Sequence, residues 1–296
     1  MPLLTLQELE QMTPLFRGSI GNALARGAMR LLAVDKVNAL YDRHAHLTGP
    51  DFARSVLDDL DIVYDVRPQT PEVFLQLHEM RQAPFVTISN HPYGSIDGII
   101  LADYLGHICP DYKIMVNQVL SRVKALSPSF ITVTPTGVER TTATTESIAG
   151  IRHALKHLRQ GGSLGLFPSG AVSDLSLRDR CIRDREWQEP IIRFIAKAKV
   201  PVLPVRFYDG NSWLYYSLGL IDWRVRLLRL PAEVFNKVHR PVRLGIGTPI
   251  SAEEQEQYLT THTIEEYGHW LRDRVYNMKH SSPNEEEFIT RPPTIV

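Results

Sequence analysis

The spacing of apolar positions changes near residue 81. Before that point apolar residues recur every three or four positions, the period of a helix, most clearly between Arg17 and Arg43. After it, short runs rich in Val, Ile and Phe alternate with stretches of helical spacing. The runs predict strands at Phe85–Ser89, Tyr112–Val116, Phe130–Thr134, Ser163–Phe167, Val202–Phe207 and Val242–Gly245. The other stretches predict helices at about 97–106, 118–126, 143–160, 186–199 and 252–278.

Cap-like sequences predict where the N-terminal helices begin. Thr5 with Glu8 forms a capping-box pattern, and Thr48-Gly49-Pro50 and Thr70-Pro71 each place a capping residue before a helix-compatible proline. The later alternation of strand and helix predicts an α/β fold with a mixed or parallel sheet flanked by helices. We therefore expect an N-terminal helical segment at 1–80, an α/β domain at 81–280, and a tail at 281–296 whose Pro, Ser and acidic residues favour disorder.

The composition excludes several classes of protein. Lys and Arg together number 33, as do Asp and Glu, so no global charge favours nucleic acid. Two cysteines, Cys109 and Cys181, are too few for a disulfide framework in 296 residues and indicate a reducing cytoplasm. The N-terminus lacks a signal-peptide pattern, and no run approaches the ~20 apolar residues of a membrane-spanning helix. The expected protein is cytoplasmic, and binding to a membrane surface stays open.

The densest group of chemically useful residues is NHPYGSIDG, residues 90–98. It follows an apolar strand and precedes a helix, so His91 at the strand tip and Asp97 at the helix start can share one loop. Such a pair suits general-base chemistry, because the carboxylate orients the imidazole and stabilises its protonated form. The alternative is a polar turn in which Asp97 only caps the helix. A serine hydrolase is not favoured, since neither Ser95 nor Ser169 lies in a Gly-x-Ser-x-Gly frame.

The sequence indicates no metal and no bound cofactor. His153 and His157 lie four residues apart, but no Glu adjoins the first of them as in a zinc-protease helix. A phosphate-binding loop is absent, and Gly245-Ile246-Gly247 stops short of a dinucleotide fingerprint. Both histidines are therefore interpreted as surface residues.

Three segments together carry a family resemblance. Residues 90–98, the turn Phe167-Pro168-Ser169-Gly170 and the strand around Val202–Val205 resemble, in order and spacing, the lysophospholipid (glycerolipid) acyltransferase family over roughly residues 80–250. In particular they are similar to its hemolysin-type branch, which includes lyso-ornithine-lipid O-acyltransferases. The resemblance implies a bacterial enzyme of lipid biosynthesis with the family's α/β fold. It would move a fatty acyl group from acyl-carrier protein or acyl-CoA, as co-substrate, to a hydroxyl of a lysolipid or N-acyl amino acid.

The resemblance also implies residue roles. His91 would be the general base and Asp97 its orienting partner, separated by five residues as in the hemolysin-type branch. Arg140 would bind an anionic group of the acceptor, and Ser169 and Gly170 would approach the acceptor, although an ion-paired Arg140 and a plain β-turn are alternatives. Ser169 replaces the Glu that the wider family uses for glycerol phosphate, which disfavours that acceptor. A phosphatidic-acid-forming enzyme and a non-catalytic lipid-binding protein remain the alternative functions.

A membrane-contact segment is predicted within Asn211–Arg243. Aromatic residues there precede six Lys or Arg against one Glu between 224 and 243, a combination that suits a membrane interface. The predicted contact residues are Trp213, Trp223, Arg224, Arg226 and Arg229. They imply a peripheral protein on the inner face of the cell membrane, and the alternative is a buried apolar segment with a basic rim.

A second basic cluster lies between residues 178 and 185. It comprises Arg178, Arg180, Arg183 and Arg185, interleaved with Asp179 and Asp184. The cluster suits an acidic acyl carrier protein, but we favour a surface whose charges neutralise one another.

Overall fold

The computed structural model describes residues 18, 27, 30, 32–133, 145–178, 180–239 and 241–279, without the side chains of 119, 145–148 and 223–225. The helices are α1 (Val34–His44), α2 (Gly49–Asp59), α3 (Glu72–Met80), α4 (Ile96–Ile108), α5 (Thr145–Arg159), α6 (Glu189–Ala198), α7 (Trp213–Ile221), α8 (Trp223–Phe235), α9 (Ala252–Leu259) and α10 (Ile264–Tyr276). The strands are β1 (Tyr64–Pro68), β2 (Val86–Ser89), β3 (Tyr112–Asn117), β4 (Phe130–Val133), β5 (Ser163–Leu166), β6 (Asp174–Ser176), β7 (Cys181–Arg183), β8 (Val202–Phe207) and β9 (Val242–Ile246).

Within the described ranges, seven strands form one sheet in the order β1-β9-β8-β2-β5-β3-β4. Every neighbouring pair is parallel except β8 with β9. The remaining strands, β6 and β7, pair antiparallel as a separate hairpin. The mixed, mainly parallel α/β sheet predicted from the sequence is confirmed.

Apolar side chains cover both faces of the sheet. Side chains alternate between the two faces of a strand, and Leu203 and Val205 of β8 pack in one buried cluster, with Ile100 of α4. Val202 of β8 lies in another, with Leu271 of α10. Helices therefore flank the sheet on both sides, and α4 is held deep inside one of these layers.

The six predicted strands are present with ends shifted by one residue at most, and α2 and α3 begin where the Gly-Pro and Thr-Pro signals placed them. The prediction that the first 80 residues are helical was wrong at β1, which pairs with β9, so the sheet begins before residue 81. The helix predicted at 118–126 is a pair of 3₁₀ turns, Gln118–Arg122 and Lys124–Ser129, with Pro128 in the second.

The long C-terminal helix predicted at 252–278 is two helices, α9 and α10. Thr263 caps α10, since its hydroxyl accepts from Glu266 N–H while the Glu266 carboxylate binds back to Thr263. This capping box gives a new helix start and lets the chain change direction. The Thr5 capping box, the tail at 281–296 and 12 of the 27 residues between 17 and 43 lie outside the described residues.

No helix in the described ranges combines the length and the apolar character needed to cross a bilayer.

Candidate active site

Three parallel neighbours, β8, β2 and β5, bring their carboxyl ends to one edge of the sheet. His91 follows β2, and the turn containing Ser169 follows β5. Ligand sites of open α/β sheets lie at such carboxyl ends. The topology therefore brings together the loop at 90–98 and the turn at 167–170, which the sequence separates by about seventy residues.

His91 and Asp97 form a close pair. The Nδ1 atom of His91 lies 2.8 Å from the Oδ2 atom of Asp97. The Asp97 side chain is fully buried, whereas the His91 side chain keeps 16% of its surface exposed. Because Nδ1 faces the carboxylate, Nε2 is the ring nitrogen left to accept a proton from a substrate.

The loop itself fixes the Asp97 carboxylate. Oδ2 accepts hydrogen bonds from the backbone N–H groups of Tyr93 and Gly94 at 3.1 and 3.2 Å, and Oδ1 accepts one from Gly98 at 2.9 Å. Asp97 also lies in the first turn of α4, where the helix dipole favours negative charge. The carboxylate thus accepts an N–H of the first helical turn and also faces His91, so Asp97 does more than satisfy the helix start.

Gly94 allows the loop to turn tightly. Its φ is +84°, a conformation that residues with a side chain rarely adopt. A Cβ atom there would lie 2.7 Å from Val172 and 3.0 Å from Leu230. The dyad loop therefore packs against the segment after β5 and against α8.

The surroundings raise the pKa of His91. Burial of the imidazole lowers its pKa, but the negative charge and hydrogen-bonding capacity of Asp97, together with the charge of Asp184, outweigh burial. The ring also lies against Phe167, with ring centroids 4.0 Å apart. An imidazole that readily takes up a proton and is held on both sides is suited to act as a general base.

Asn90 extends the sheet contacts up to the dyad. Its side-chain amide donates to the Phe207 carbonyl and accepts from the Phe207 N–H, both at 2.8 Å. This buried side chain therefore ties the end of β2 to the backbone of β8. Because Asn90 directly precedes His91, the two hydrogen bonds fix His91 relative to the sheet.

The predicted substrate-binding residues Ser169 and Gly170 differ in their exposure to solvent. The Ser169 side chain is buried, and its hydroxyl donates to the Ala171 carbonyl at 2.7 Å, so it is engaged within its own turn. Gly170 is exposed with φ +64°, and a Cβ there would meet the amide of Gln188 at 2.1 Å. Arg140 lies outside the described residues, and its predicted contact with the acceptor stays a prediction.

The predicted membrane-contact residues separate into different environments. Trp213 is 68% exposed on α7, among exposed apolar neighbours. Arg226 is only 3% exposed, because its guanidinium donates to the Val172 and Ser173 carbonyls and pairs with Asp174. The prediction that Arg226 contacts a membrane was therefore wrong.

Of the other members of that set, the structure describes the side chain of Arg229 alone. Arg229 is partly buried and pairs with Glu233 one helical turn away. The side chains of Trp223 and Arg224 lie outside the description.

Sequence reasoning missed the role of Asp184. It was grouped with surface charges between residues 178 and 185, but its side chain is 2% exposed. Its Oδ1 atom accepts a hydrogen bond from the backbone N–H of His91 at 3.1 Å. The signal that separates it from its neighbours is Trp187, three residues later, whose indole N–H donates to Oδ2 at 3.2 Å.

A cavity of about 430 Å³ lies beside the dyad loop. Asn90, Pro92 and Tyr93 line it together with Arg206 and Lys237. His91 and Asp97 are not part of its lining. In the described ranges, no three His, Cys, Asp or Glu side chains are grouped so that they could hold a metal ion.

The chain is similar in sequence to known acyltransferases. A family model described as Acyltransferase matches residues 53–284. A lyso-glycine lipid O-acyltransferase of Bacteroides thetaiotaomicron is 24% identical over 258 residues, which cover 84% of this chain and 87% of that protein. A lyso-glycine lipid O-acyltransferase of Phocaeicola vulgatus is 25% identical over 251 residues, which cover 82% of this chain and 83% of that protein.

Proposed function

This chain belongs to the acyltransferase family whose model it matches, and we propose that it transfers a fatty acyl group from an acyl thioester to a hydroxyl of a lysolipid, with His91 as general base. The observation that carries the proposal is the 2.8 Å contact between His91 Nδ1 and the buried carboxylate of Asp97. The names of the two relatives support a lysolipid as the acceptor.

The proposed reaction needs no acyl-enzyme. His91 Nε2 takes the proton of the acceptor hydroxyl while the oxygen attacks the thioester carbonyl. The tetrahedral intermediate then expels the thiolate, the proton held on His91 passes to that sulfur, and an ester and a free thiol leave. Asp97 stabilises the imidazolium between the two proton transfers.

Substitution of the base tests the chemistry. His91→Ala is expected to lower kcat by about 10²–10⁴-fold, the usual contribution of general-base catalysis. His157→Ala is the matched control, because His157 on α5 hydrogen-bonds the carbonyls of Asp111 and Ser163 at a distance from the dyad loop. Turnover near that of the wild type in folded His91→Ala protein would refute the proposed mechanism.

We propose an N-acyl amino acid bearing a free hydroxyl as the acceptor. The Glu associated with glycerol phosphate in the wider family is replaced by Ser169, and the relatives are named for a glycine lipid. The compact carboxylate of such a lipid suits bidentate binding by an arginine, a role we assign to Arg140.

A competition assay decides between acceptors. Equal amounts of N-(3-hydroxyacyl)glycine and lysophosphatidic acid are offered, with acyl-CoA and acyl-carrier protein as donors in parallel reactions, and products are measured by mass spectrometry. We expect preferential acylation of the glycine lipid, and Arg140→Lys should raise the KM for acceptor more than that for donor. Preference for lysophosphatidic acid would favour the phosphatidic-acid-forming alternative, and no transfer with either donor would favour a non-catalytic lipid-binding protein.

We further propose that α7 and α8 hold the protein at a membrane. Six large apolar side chains on these helices are at least one-third exposed: Trp213, Leu214, Leu220, Ile221, Leu227 and Leu228. Such a concentration of exposed apolar residues marks an interaction surface, and a lipid-modifying enzyme must reach acceptors that lie in a bilayer. Insertion of apolar residues, more than charge, would hold this protein there, because Arg226 and Arg229 are engaged within the fold.

Vesicle sedimentation tests this surface. Replacing Trp213, Ile221 and Leu228 with Ser should reduce binding to phosphatidylglycerol vesicles and leave the unfolding temperature near that of the wild type. Leu75→Ser on α3, where the side chain is 69% exposed, is the matched control and should bind like the wild type. Equal binding of the triple variant would place membrane contact elsewhere.

A further inference from the structure

We infer that Asp184 is a positioning residue, a second buried carboxylate that fixes the backbone of His91 so that its imidazole meets Asp97 in the reactive geometry. The inference rests on the proposed role of His91 as base. Asp184 follows β7 in sequence and lies ninety-three residues beyond His91, so only the folded chain brings the two together.

Asp184 and Ser173 bind both polar groups of the His91 backbone. The His91 N–H donates to Asp184 Oδ1 at 3.1 Å, and the His91 carbonyl accepts from the Ser173 N–H at 2.9 Å. The Ser173 hydroxyl donates to the same Oδ1 atom at 2.6 Å, which joins the two residues into one clamp. This clamp holds the backbone of His91, while Asp97 holds its ring.

Other elements hold the clamp in place. Arg272 of α10 donates to the Asp184 carbonyl at 2.7 Å, and the Asp184 N–H donates to the Tyr276 hydroxyl at 2.8 Å. Arg226 of α8 donates to the Ser173 carbonyl at 3.0 Å. The position of the dyad loop therefore depends on α8 and α10 as well as on the sheet. A shift of either helix would move His91 through the clamp.

The carboxylate charge itself has a consequence for the dyad. An amide oxygen could accept from the His91 N–H and the Ser173 hydroxyl, but its NH₂ group would then oppose the indole N–H of Trp187, which the carboxylate accepts through Oδ2. Three donors point at the Asp184 oxygens, as the ionised form requires, although burial raises the pKa of this carboxyl. An ionised Asp184 beside His91 favours the imidazolium that forms during transfer.

Charged and titratable groups from several elements surround His91 and Asp184 in the described ranges. Asp97 faces His91 from α4, and Asp184 faces it from the residue directly after β7. Tyr276 and Arg272 face Asp184 from α10. Removal of the Asp184 charge leaves Asp97 as the remaining carboxylate beside His91, so the pKa of His91 should fall without returning to that of an unpaired histidine.

The experiment compares the pH dependence of kcat for Asp184→Asn and for the wild type. The variant keeps an oxygen for the His91 N–H but loses the charge and the acceptor of the Trp187 N–H. We expect kcat to fall on the order of 10–10²-fold, as small misplacements of a catalytic group do. KM should change little, and the acidic limb of the profile should move to lower pH. Asp103→Asn is the control, because Asp103 is also a buried carboxylate but pairs with Arg54, Tyr64 and His107 and takes no part in the clamp.

The possible outcomes separate this inference from the proposed function. An Asp184→Asn protein that is folded, with the kcat and acidic limb of the wild type, would overturn the inference, provided that His91→Ala is inactive in the same assay. Activity in His91→Ala would instead overturn the proposed base. If Asp184→Asn does not fold, Ser173→Ala, which removes the hydroxyl bound to Oδ1, should lower kcat at unchanged KM; an unchanged kcat would overturn the clamp.

Discussion

Asp97→Asn removes one charge and one acceptor from the most constrained part of the dyad loop. The carboxylate accepts three backbone hydrogen bonds, from Tyr93, Gly94 and Gly98, and also faces His91 Nδ1. An amide has one oxygen for these contacts. If that oxygen faces Tyr93, Gly94 and His91, the NH₂ group opposes the Gly98 N–H. In the flipped orientation the NH₂ group opposes Tyr93 N–H, Gly94 N–H and His91 Nδ1. At least one donor therefore loses its acceptor in either orientation.

The substitution should lower both the folding stability and the kcat, by different amounts. A buried donor left without an acceptor costs about 1–3 kcal/mol of folding stability. Loss of the partner that orients and stabilises His91 should lower kcat by roughly 10²–10⁴-fold, comparable to the loss of general-base assistance itself. The pKa of His91, raised in the wild type from an ordinary value of 6.5, should also fall. Because the neutral imidazole is the proposed base, the acidic limb of the pH–rate profile should move to lower pH.

The assay measures acyl transfer between pH 5 and 9 together with urea unfolding of each protein. Asp103→Asn is the matched control, since Asp103 is a buried carboxylate on the same helix that pairs with Arg54, Tyr64 and His107 instead of the dyad. We expect the control to lose stability while its acidic limb stays in place. The reasoning fails if Asp97→Asn keeps more than a tenth of the wild-type kcat, or if both variants show the same pH profile.

Three further predictions concern packing and thiol chemistry. Arg226→Leu should destabilise the fold by about 1–3 kcal/mol for each carbonyl left unpaired, whereas Arg193→Leu, at an exposed pair with Glu189, should cost about 0.5 kcal/mol; urea unfolding measures both. Gly165→Ala should lower the unfolding temperature, because its Cβ would lie 2.2 Å from the Tyr112 hydroxyl; an unchanged value would contradict this packing. An aromatic disulfide reagent should modify one thiol in native protein and two in urea, since Cys181 is exposed while Cys109 is buried with its pKa raised to about 11.

The strands and helices that the sequence predicted correctly are those with a clear local pattern of apolar positions. β2 and β5 are four-residue strands buried along their whole length because both faces of the sheet are covered, and such short runs stand out between helical stretches. β1 was missed although Tyr64 and Val66 alternate with Asp65 and Arg67, the pattern expected of a half-covered edge strand. The break before α10 depends on one threonine and one glutamate, a signal too small to outweigh continuous helical periodicity.

The dyad was recognisable because His91 and Asp97 share one loop, and a loop of seven residues largely determines which of its side chains can meet. The clamp was not recognisable, because Asp184, Ser173 and Arg226 reach His91 from distant parts of the chain. Charge in a sequence does not reveal burial: Asp184 and Arg226 look like surface residues until partners for their charges and hydrogen bonds are found in three dimensions. Local sequence thus determined which residues form the dyad. The tertiary structure decided which charges enter the interior to hold it, because burying a charge is tolerated only where the fold supplies partners for it.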